Sequence, residues 1–173
     1  VIYNPKAGRG GQRRLRRIRQ GLDALGPGHE LRTWATLPEL EPLLADRDRF
    51  TAVLAAGGDG TANLVGRHLL QGGPALGIVP LGTGNGMAHH LGWRDGTRHF
   101  FRHLPEAHAT WVDAGEVNGR PFLGFCGFGI DAQIAHAFAE VRQRSFWRYF
   151  RLALHYYYKA EKEAFTLRMP SET

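Results

Sequence analysis

Cysteine is nearly absent. Cys126 is the single one, which excludes an intrachain disulfide and a cysteine-rich metal centre and fits a reducing compartment. Long apolar runs are missing too: no stretch approaches the roughly 18 residues that a membrane-spanning helix needs. The first twenty residues hold no acid, yet they carry Lys6, Arg9, Arg13, Arg14, Arg16, Arg17 and Arg19. Such a block of one sign favours polyanions, whether nucleotide phosphates, nucleic acid or an anionic membrane surface. Nucleic acid is the weakest of these, because no aromatic residues interleave with the arginines. Two common phosphate-binding signatures are also lacking. There is no GxxxxGK[ST], and no GxGxxG follows a strand, so neither the P-loop nor the usual dinucleotide fingerprint is present.

Glycine is abundant, at 23 of 173 residues, and the glycines fall between apolar runs, which marks tight loops rather than disorder. The length suffices for one domain with a buried core and the start of a second. "VIYNP" reads as a strand already under way, as expected of an excerpt from a longer chain. Val1–Tyr3 is the first expected strand. From Gln12, Leu15, Ile18, Leu22 and Leu25 recur at helical spacing until "GPG" at 26–28 stops the helix. "HELRTWAT" (29–36) predicts a strand and "LPELEPLLAD" (37–46) a helix. Phe50–Ala56 and Ala75–Pro80 are short apolar strands of the buried, parallel kind. Between them Ala62–Leu70 predicts a helix, and "LGTGNGMAHHLG" then runs from loop into helix. This alternation predicts an α/β layered domain with a mainly parallel sheet. Ligands of such sheets bind where loops leave the carboxyl ends of strands. Three loops qualify: Asn4–Gly11, Gly57–Asn63 and Leu81–Gly86. From Thr110 the texture changes. "TWVDAGEVNGRPFLGFCGFGID" alternates around Asn118-Gly119, a hairpin signal that predicts two antiparallel strands. Helical periodicity returns from Ala132, Phe146–Lys162 is aromatic and basic, and "AFTLRMPSET" reads as a strand cut short.

"GGDGT" (57–61) carries the chemistry. Glycine-exposed N–H groups ahead of a helix form a concavity for anions. Thr61 can cap that helix or offer its hydroxyl to a phosphate. A lone carboxylate at Asp59 repels phosphate unless a cation intervenes, so Mg²⁺ or a substrate hydroxyl is its natural partner. A plain tight turn would also explain five such residues, but "NPKAG" and "PLGTGN" repeat the pattern after two further strands. Lys6 and Arg9 stand beside the first loop and can offset phosphate charge, whereas the other arginines read as a solvated helix face that would suit an anionic membrane. His99 and His103 are i, i+4 without an accompanying acid pattern, so a metal pair there is disfavoured. For Phe146, Trp147, Tyr149, Phe150 and Tyr156–Tyr158, core packing is the commoner explanation and lipid contact the sharper one.

"NPKAG", "GGDGTAN", "PLGTGNGMA", "VDAGEVNGRPF" and "GFGIDA", in this order and spacing, resemble the diacylglycerol kinase catalytic-domain family, which spans bacterial lipid kinases and diacylglycerol, sphingosine and ceramide kinases. NAD kinases and phosphofructokinases share GGDG, but "PLGTGN" followed by "VDAGEVNG" is similar to the lipid kinases. The resemblance implies an NAD kinase/diacylglycerol kinase-like fold: an α/β nucleotide-binding domain over 1–109 and the beginning of a β-rich lipid-site domain over 110–173. It implies ATP-dependent transfer of the γ-phosphoryl group to a lipid hydroxyl, with Mg²⁺, by a cytoplasmic protein peripheral at the inner, anionic membrane face and compatible with a homodimer. Asn4, Pro5, Lys6, Ala7 and Gly8 then match the first nucleotide loop, and Thr36 a nucleotide-binding threonine. Gly57, Gly58, Asp59, Gly60, Thr61, Ala62 and Asn63 match the phosphate loop, with Asp59 as catalytic and metal residue. Gly82, Thr83 and Asn85 match the third loop, and Asp113 an acid supporting a metal–water network. Two positions depart: Leu64 stands where many relatives have Glu, and Gly86 where many have Asp, which leaves Asp59 as the only acid of the three loops. Relatives continue well beyond this length, and that part holds the remaining lipid site and, in bacterial relatives, an acid proposed as the base. A soluble-substrate kinase of the NAD kinase type is the alternative, and a basic nucleic-acid-binding domain a less favoured one.

Overall fold

The computed structural model describes residues 1–5, 11–70, 72–93, 96–140, 146–159 and single residues 164, 166 and 168. They fall into two compact units, Val1–Phe125 and Cys126–Thr173.

The first unit is built on four parallel strands, β1 (Ile2–Tyr3), β2 (Arg32–Thr33), β3 (Ala52–Gly57) and β4 (Ala75–Pro80), in the order β2-β1-β3-β4. Ile2 lies opposite Arg32 on one side and Ala55 on the other, while Ala52–Gly57 pairs in full with Ala75–Pro80. Helices α1 (Gly11–Leu25), α2 (Leu40–Leu43), α3 (Asp59–Arg67), α4 (Gly86–His90) and α5 (Gly96–His103) surround this sheet. The period-2 alternation of the strands sorts the core. Tyr3, Leu54, Ala56 and Val79 pack with Ile18 and Leu22 of α1 and Phe100 and Phe101 of α5. Ile2, Val53 and Ala55 pack with Trp34, Leu40, Leu44 and Val65, while Ala62, Ile78 and Ala88 join α3, β4 and α4. With both faces covered, every strand position can be apolar, which is why β3 and β4 read as unbroken runs. Burying Phe100 and Phe101 is worth about 1.5–3 kcal/mol each. Tyr3 Oη donates to the Gly11 carbonyl at 3.1 Å and so ties β1 to the start of α1. The Phe101 ring occupies the place a Cβ on Gly21 would need, which brings α5 hard against α1.

The edge strand β2 is two residues long, not the eight of "HELRTWAT". Its neighbour β1 is itself only two residues long, so there is no ladder for the remainder to join. Polar bonds hold it instead: Arg32 donates to both Asp46 oxygens and to Glu30. The hydrogen bonds from Arg32, reinforced by its charge, outweigh desolvation and hold the Asp46 carboxyl down from 3.8 to about 2. A depressed carboxylate contributes stability above its unfolded value and loses it as pH falls through its folded one. The urea midpoints of wild type and Asp46→Asn should therefore differ at neutral pH and converge between about pH 4 and pH 2. A gap that persists below pH 2 would remove the ion pair as its cause.

A hairpin, β5 (Ala114–Val117) and β6 (Arg120–Leu123), completes this unit. Asn118 (φ 51°) and Gly119 (φ 73°) are both left-handed, the backbone a two-residue type I′ turn requires. The second unit contains α6 (Ile130–Glu140) and α7 (Phe146–Lys159). The Phe138 and Tyr149 rings meet edge to face at 5.4 Å, and Trp147, Phe150, Tyr157 and Tyr158 are exposed. Most of "AFTLRMPSET" lies outside the described residues.

Candidate active site

All four strands run the same way, so the segments after β1, β2, β3 and β4 leave one edge of the sheet. The chain moves outward from β1 to β2 on one side and from β3 to β4 on the other. The order therefore reverses between β1 and β3, and at such a switch point an open α/β sheet forms its crevice. The loops beginning at Asn4 and Gly58 flank that point. Asn4 N–H donates to the Ala56 carbonyl at 3.3 Å, and Pro5 beside it is exposed. Lys6, Ala7, Gly8 and Arg9 lie outside the described residues.

Gly58 and Gly82 bring the loops after β3 and β4 into direct main-chain contact. A Cβ on Gly82 would stand 2.5 Å from the Gly58 Cα, and one on Gly58 would stand 3.1 Å from the Gly82 Cα. Leu81 N–H donates to the Gly57 carbonyl at 2.8 Å, extending the ladder into the loops. The helix after this contact begins at Asp59, three residues before the sequence expectation. The Gly58 carbonyl accepts from Thr61 N–H (2.9 Å) and Ala62 N–H (3.0 Å), so Asp59–Gly60–Thr61 already forms the first turn. Thr61 is buried, its side chain over Gly57. Ala62 faces the core beside Ile78 and Ala88. Gly60 differs from its neighbours, because a Cβ there would meet nothing within 4 Å.

Asp59 is half-buried, and its Oδ1 accepts the backbone N–H of Met87 at 2.9 Å. Met87 is the second residue of α4, so the carboxylate of one loop caps the helix leaving the other. Its Oδ2 faces Gly84, where a Cβ would stand 3.4 Å away. Asn85 locks the second loop. It sits in the left-handed region (φ 53°), its Oδ1 accepts Gly82 N–H at 2.7 Å and its Nδ2 donates to the Gly82 carbonyl at 3.0 Å. Thr83 between them is exposed.

Other expected site residues are engaged elsewhere. Asn63 Oδ1 accepts Leu123 N–H at 3.2 Å, so it ties α3 to β6. Thr36 Oγ1 donates to Glu39 Oε1 at 2.7 Å and Ala35 N–H donates to Glu39 Oε2 at 2.8 Å, so the Glu39 carboxylate holds the segment after β2. Asp113 is exposed just before β5. Among the described residues, no group of three or more His, Cys, Asp or Glu gathers as a metal site. The participant that sequence reasoning missed is the Met87 main chain. Its only signal was the Gly-Asn-Gly ahead of "MAHH", which marks a helix start without saying what caps it.

The sequence profile of the diacylglycerol kinase catalytic domain matches residues 1–117. The chain belongs to the diacylglycerol kinase catalytic-domain family. The family resemblance of "NPKAG", "GGDGTAN" and "PLGTGNGMA", which all lie inside that span, is thereby borne out. Among diacylglycerol kinases, that of Bacillus subtilis (strain 168) is 34% identical over 137 residues, covering 75% of this chain and 45% of the relative. That of Staphylococcus aureus (strain MRSA252) is 30% identical over 143 residues, covering 79% and 45%. A crystal structure of a diacylglycerol kinase from Bacillus anthracis str. Sterne superposes with a TM-score of 0.66 at 28% identity, covering 78% of this chain and 48% of that one. The α/β layered fold is thus that of diacylglycerol kinases. The chain spans less than half the length of these relatives.

Proposed function

We propose that this chain is the nucleotide-binding part of an ATP-dependent lipid kinase, which transfers the γ-phosphoryl group of ATP to the hydroxyl of a diacylglycerol-like or sphingoid lipid. One observation carries the reading: in a member of this family, Asp59 is held by Met87 N–H at the place where the Gly58 and Gly82 main chains meet. A bond forms between the lipid oxygen and Pγ, the bond from Pγ to the β-phosphate bridging oxygen breaks, and the hydroxyl proton leaves to a base. In this reading the nucleotide lies over the loops that begin at Asn4, Gly57 and Gly82, with its phosphates against the open side of Gly60. Thr36 and Thr83 stand at the rim. Residues 1–109 form the nucleotide domain and residues 110–173 open the lipid-site domain.

The residues present suit magnesium. Mg²⁺ is commonly held by one or two carboxylates, with waters and phosphate oxygens filling the remaining positions. Asp59 supplies one such carboxylate, with Oδ1 fixed by Met87 and Oδ2 on the other side, and Asp113 would support it through water. The ion, when bound, neutralises charge on the transferring group. Asp59 itself serves the ion or the acceptor hydroxyl. Cytoplasmic placement, peripheral contact with the inner membrane face and a homodimer belong to the same proposal.

The intact protein, given Mg-ATP and diacylglycerol or a sphingoid base in detergent micelles, should form a phospholipid resolvable by thin-layer chromatography. Phosphorylation of NAD with no lipid product would replace this reading by that of a soluble-substrate kinase.

A further inference from the structure

We propose that Asn63 and Gly66 are positioning residues of the kinase reaction: they seat hairpin β5–β6 on the face of α3 that begins at Asp59, and so set where a lipid hydroxyl meets that carboxylate. The inference rests on the lipid-kinase reading, in which the hairpin opens the lipid-site domain. Asp59, Asn63 and Gly66 are spaced i, i+4 and i+7 in α3. At about 100° per residue the three share one stripe, and the rise places Gly66 about 10 Å along the axis from Asp59. Ala62 and Val65, which pack into the core, lie on the neighbouring side. The hairpin occupies the stripe. Leu123 N–H donates to Asn63 Oδ1 at 3.2 Å. A Cβ on Gly66 would stand 2.2 Å from Leu123 Cδ1 and 3.0 Å from Leu76 Cδ2, so the Leu123 side chain fills a notch that glycine leaves open.

The hairpin's own hydrogen bonding explains why it needs this seat. Pairs behind a two-residue turn alternate between exchanging main-chain bonds and exchanging none. Val117–Arg120 and Gly115–Phe122 are then the bonded pairs, and Glu116–Pro121 and Ala114–Leu123 the unbonded ones. Along the outer edge of β6, Pro121 has no N–H to offer, which leaves Leu123 as the one edge donor within Arg120–Leu123. Leu123 is buried, so that donor needs a partner, and Asn63 supplies it. Helix preference is sacrificed in return, because asparagine and glycine are both weak in a helix interior. A two-stranded hairpin is marginal alone, so its placement follows α3, against which β6 packs. Ala114 lies opposite Leu123, so the seat also fixes the start of β5, directly after Asp113. One rigid helix therefore carries Asp59 at its first turn and the hairpin on the same face, two turns further on.

The test uses the intact protein, with calorimetric titration of ATP, kinetics on diacylglycerol or a sphingoid base in detergent micelles, and hydrogen exchange at the Leu123 amide. In Asn63→Ala, exchange at Leu123 should quicken about tenfold or more, while ATP affinity stays at the wild-type value. The kcat/KM for lipid should fall about tenfold or more, since small misplacements of a reacting group carry penalties of that size. Asn63→Asp keeps an acceptor for the Leu123 N–H, so it should restore slow exchange and most of the lipid kcat/KM. Gly66→Ala keeps the hydrogen bond but pushes Leu123 from its notch. Alanine favours the helix, so this variant serves if Asn63→Ala does not fold, and it should show the same split between lipid and ATP. Wild-type lipid kinetics in a folded Asn63→Ala whose Leu123 amide exchanges freely would overturn the proposal and reduce the seat to structural support. Loss of ATP affinity in Asn63→Ala, deepened in Asn63→Asp, would overturn it in favour of a direct nucleotide contact. Failure of wild type to phosphorylate any lipid is a different result: it strikes the kinase reading and the inference with it, while exchange at Leu123 still reports the seat.

Discussion

Asp59→Asn should lower lipid phosphorylation by the intact protein about 10²-fold or more while leaving the fold in place. The asparagine side-chain oxygen still accepts Met87 N–H, the bond that Asp59 Oδ1 makes at 2.9 Å, so the two loops stay joined. What is lost is the negative charge facing the proposed ion and acceptor. Asp59→Ala removes charge and cap together and should cost, in addition, about 0.5–2 kcal/mol of stability, the usual worth of a helix cap. The kinetics also assign the role. If the carboxylate holds magnesium, the residual activity of Asp59→Asn needs more Mg²⁺. If it takes the hydroxyl proton, the Mg²⁺ requirement is unchanged and the pH–rate profile loses its acidic limb. Turnover at the wild-type level would remove Asp59 from the mechanism.

Gly82→Ala should be strongly damaging at this site. Its methyl group would stand 2.5 Å from the Gly58 Cα and 2.8 Å from Asn85 Oδ1. Neither neighbour yields easily: one is main chain, and the other already accepts the Gly82 N–H. Overpacking of this kind costs about 1–3 kcal/mol, and at about 2–4 °C per kcal/mol in a chain of this size the melting temperature should fall by several degrees. Gly60→Ala is the control. Its methyl group meets nothing, and alanine is favoured over glycine within a helix by roughly 0.5–1 kcal/mol. Its melting temperature should therefore hold or rise while affinity for ATP falls, because the added methyl stands where the phosphates approach. Thermal denaturation and nucleotide titration separate the two outcomes. A wild-type melting temperature for Gly82→Ala would show that the loops can part without cost.

The loops after β3 and β4 were legible because each announces itself locally: glycine, asparagine and threonine directly follow apolar runs too short to be helices. The hairpin turn was legible for the same reason, since Asn118-Gly119 encodes its own geometry. Element boundaries were not. The helix expected from Ala62 starts at Asp59, because Asp, Gly and Thr are weak helix formers in isolation, yet Gly58 accepts their first-turn bonds. The strand expected over 29–36 shrinks to Arg32–Thr33, because ladder length depends on a partner that local pattern does not reveal. The hydrogen bond from Met87 to Asp59 joins residues 28 apart, and no spacing rule anticipates it. Asn63 shows the converse. Its place in "GGDGTAN" suggests a ligand contact, whereas its carbonyl oxygen is spent on Leu123.

The meeting of Gly58 and Gly82 has a further consequence for selectivity. Because Gly58 and Gly82 meet main chain to main chain, the bed they form beside Asp59 presents peptide groups. Peptide groups are chemically the same in every sequence that can adopt this path, so substitution cannot retune that bed; it can only obstruct it. Discrimination between one alcohol and another must therefore be written around the rim, where side chains are free to vary without disturbing what lies below.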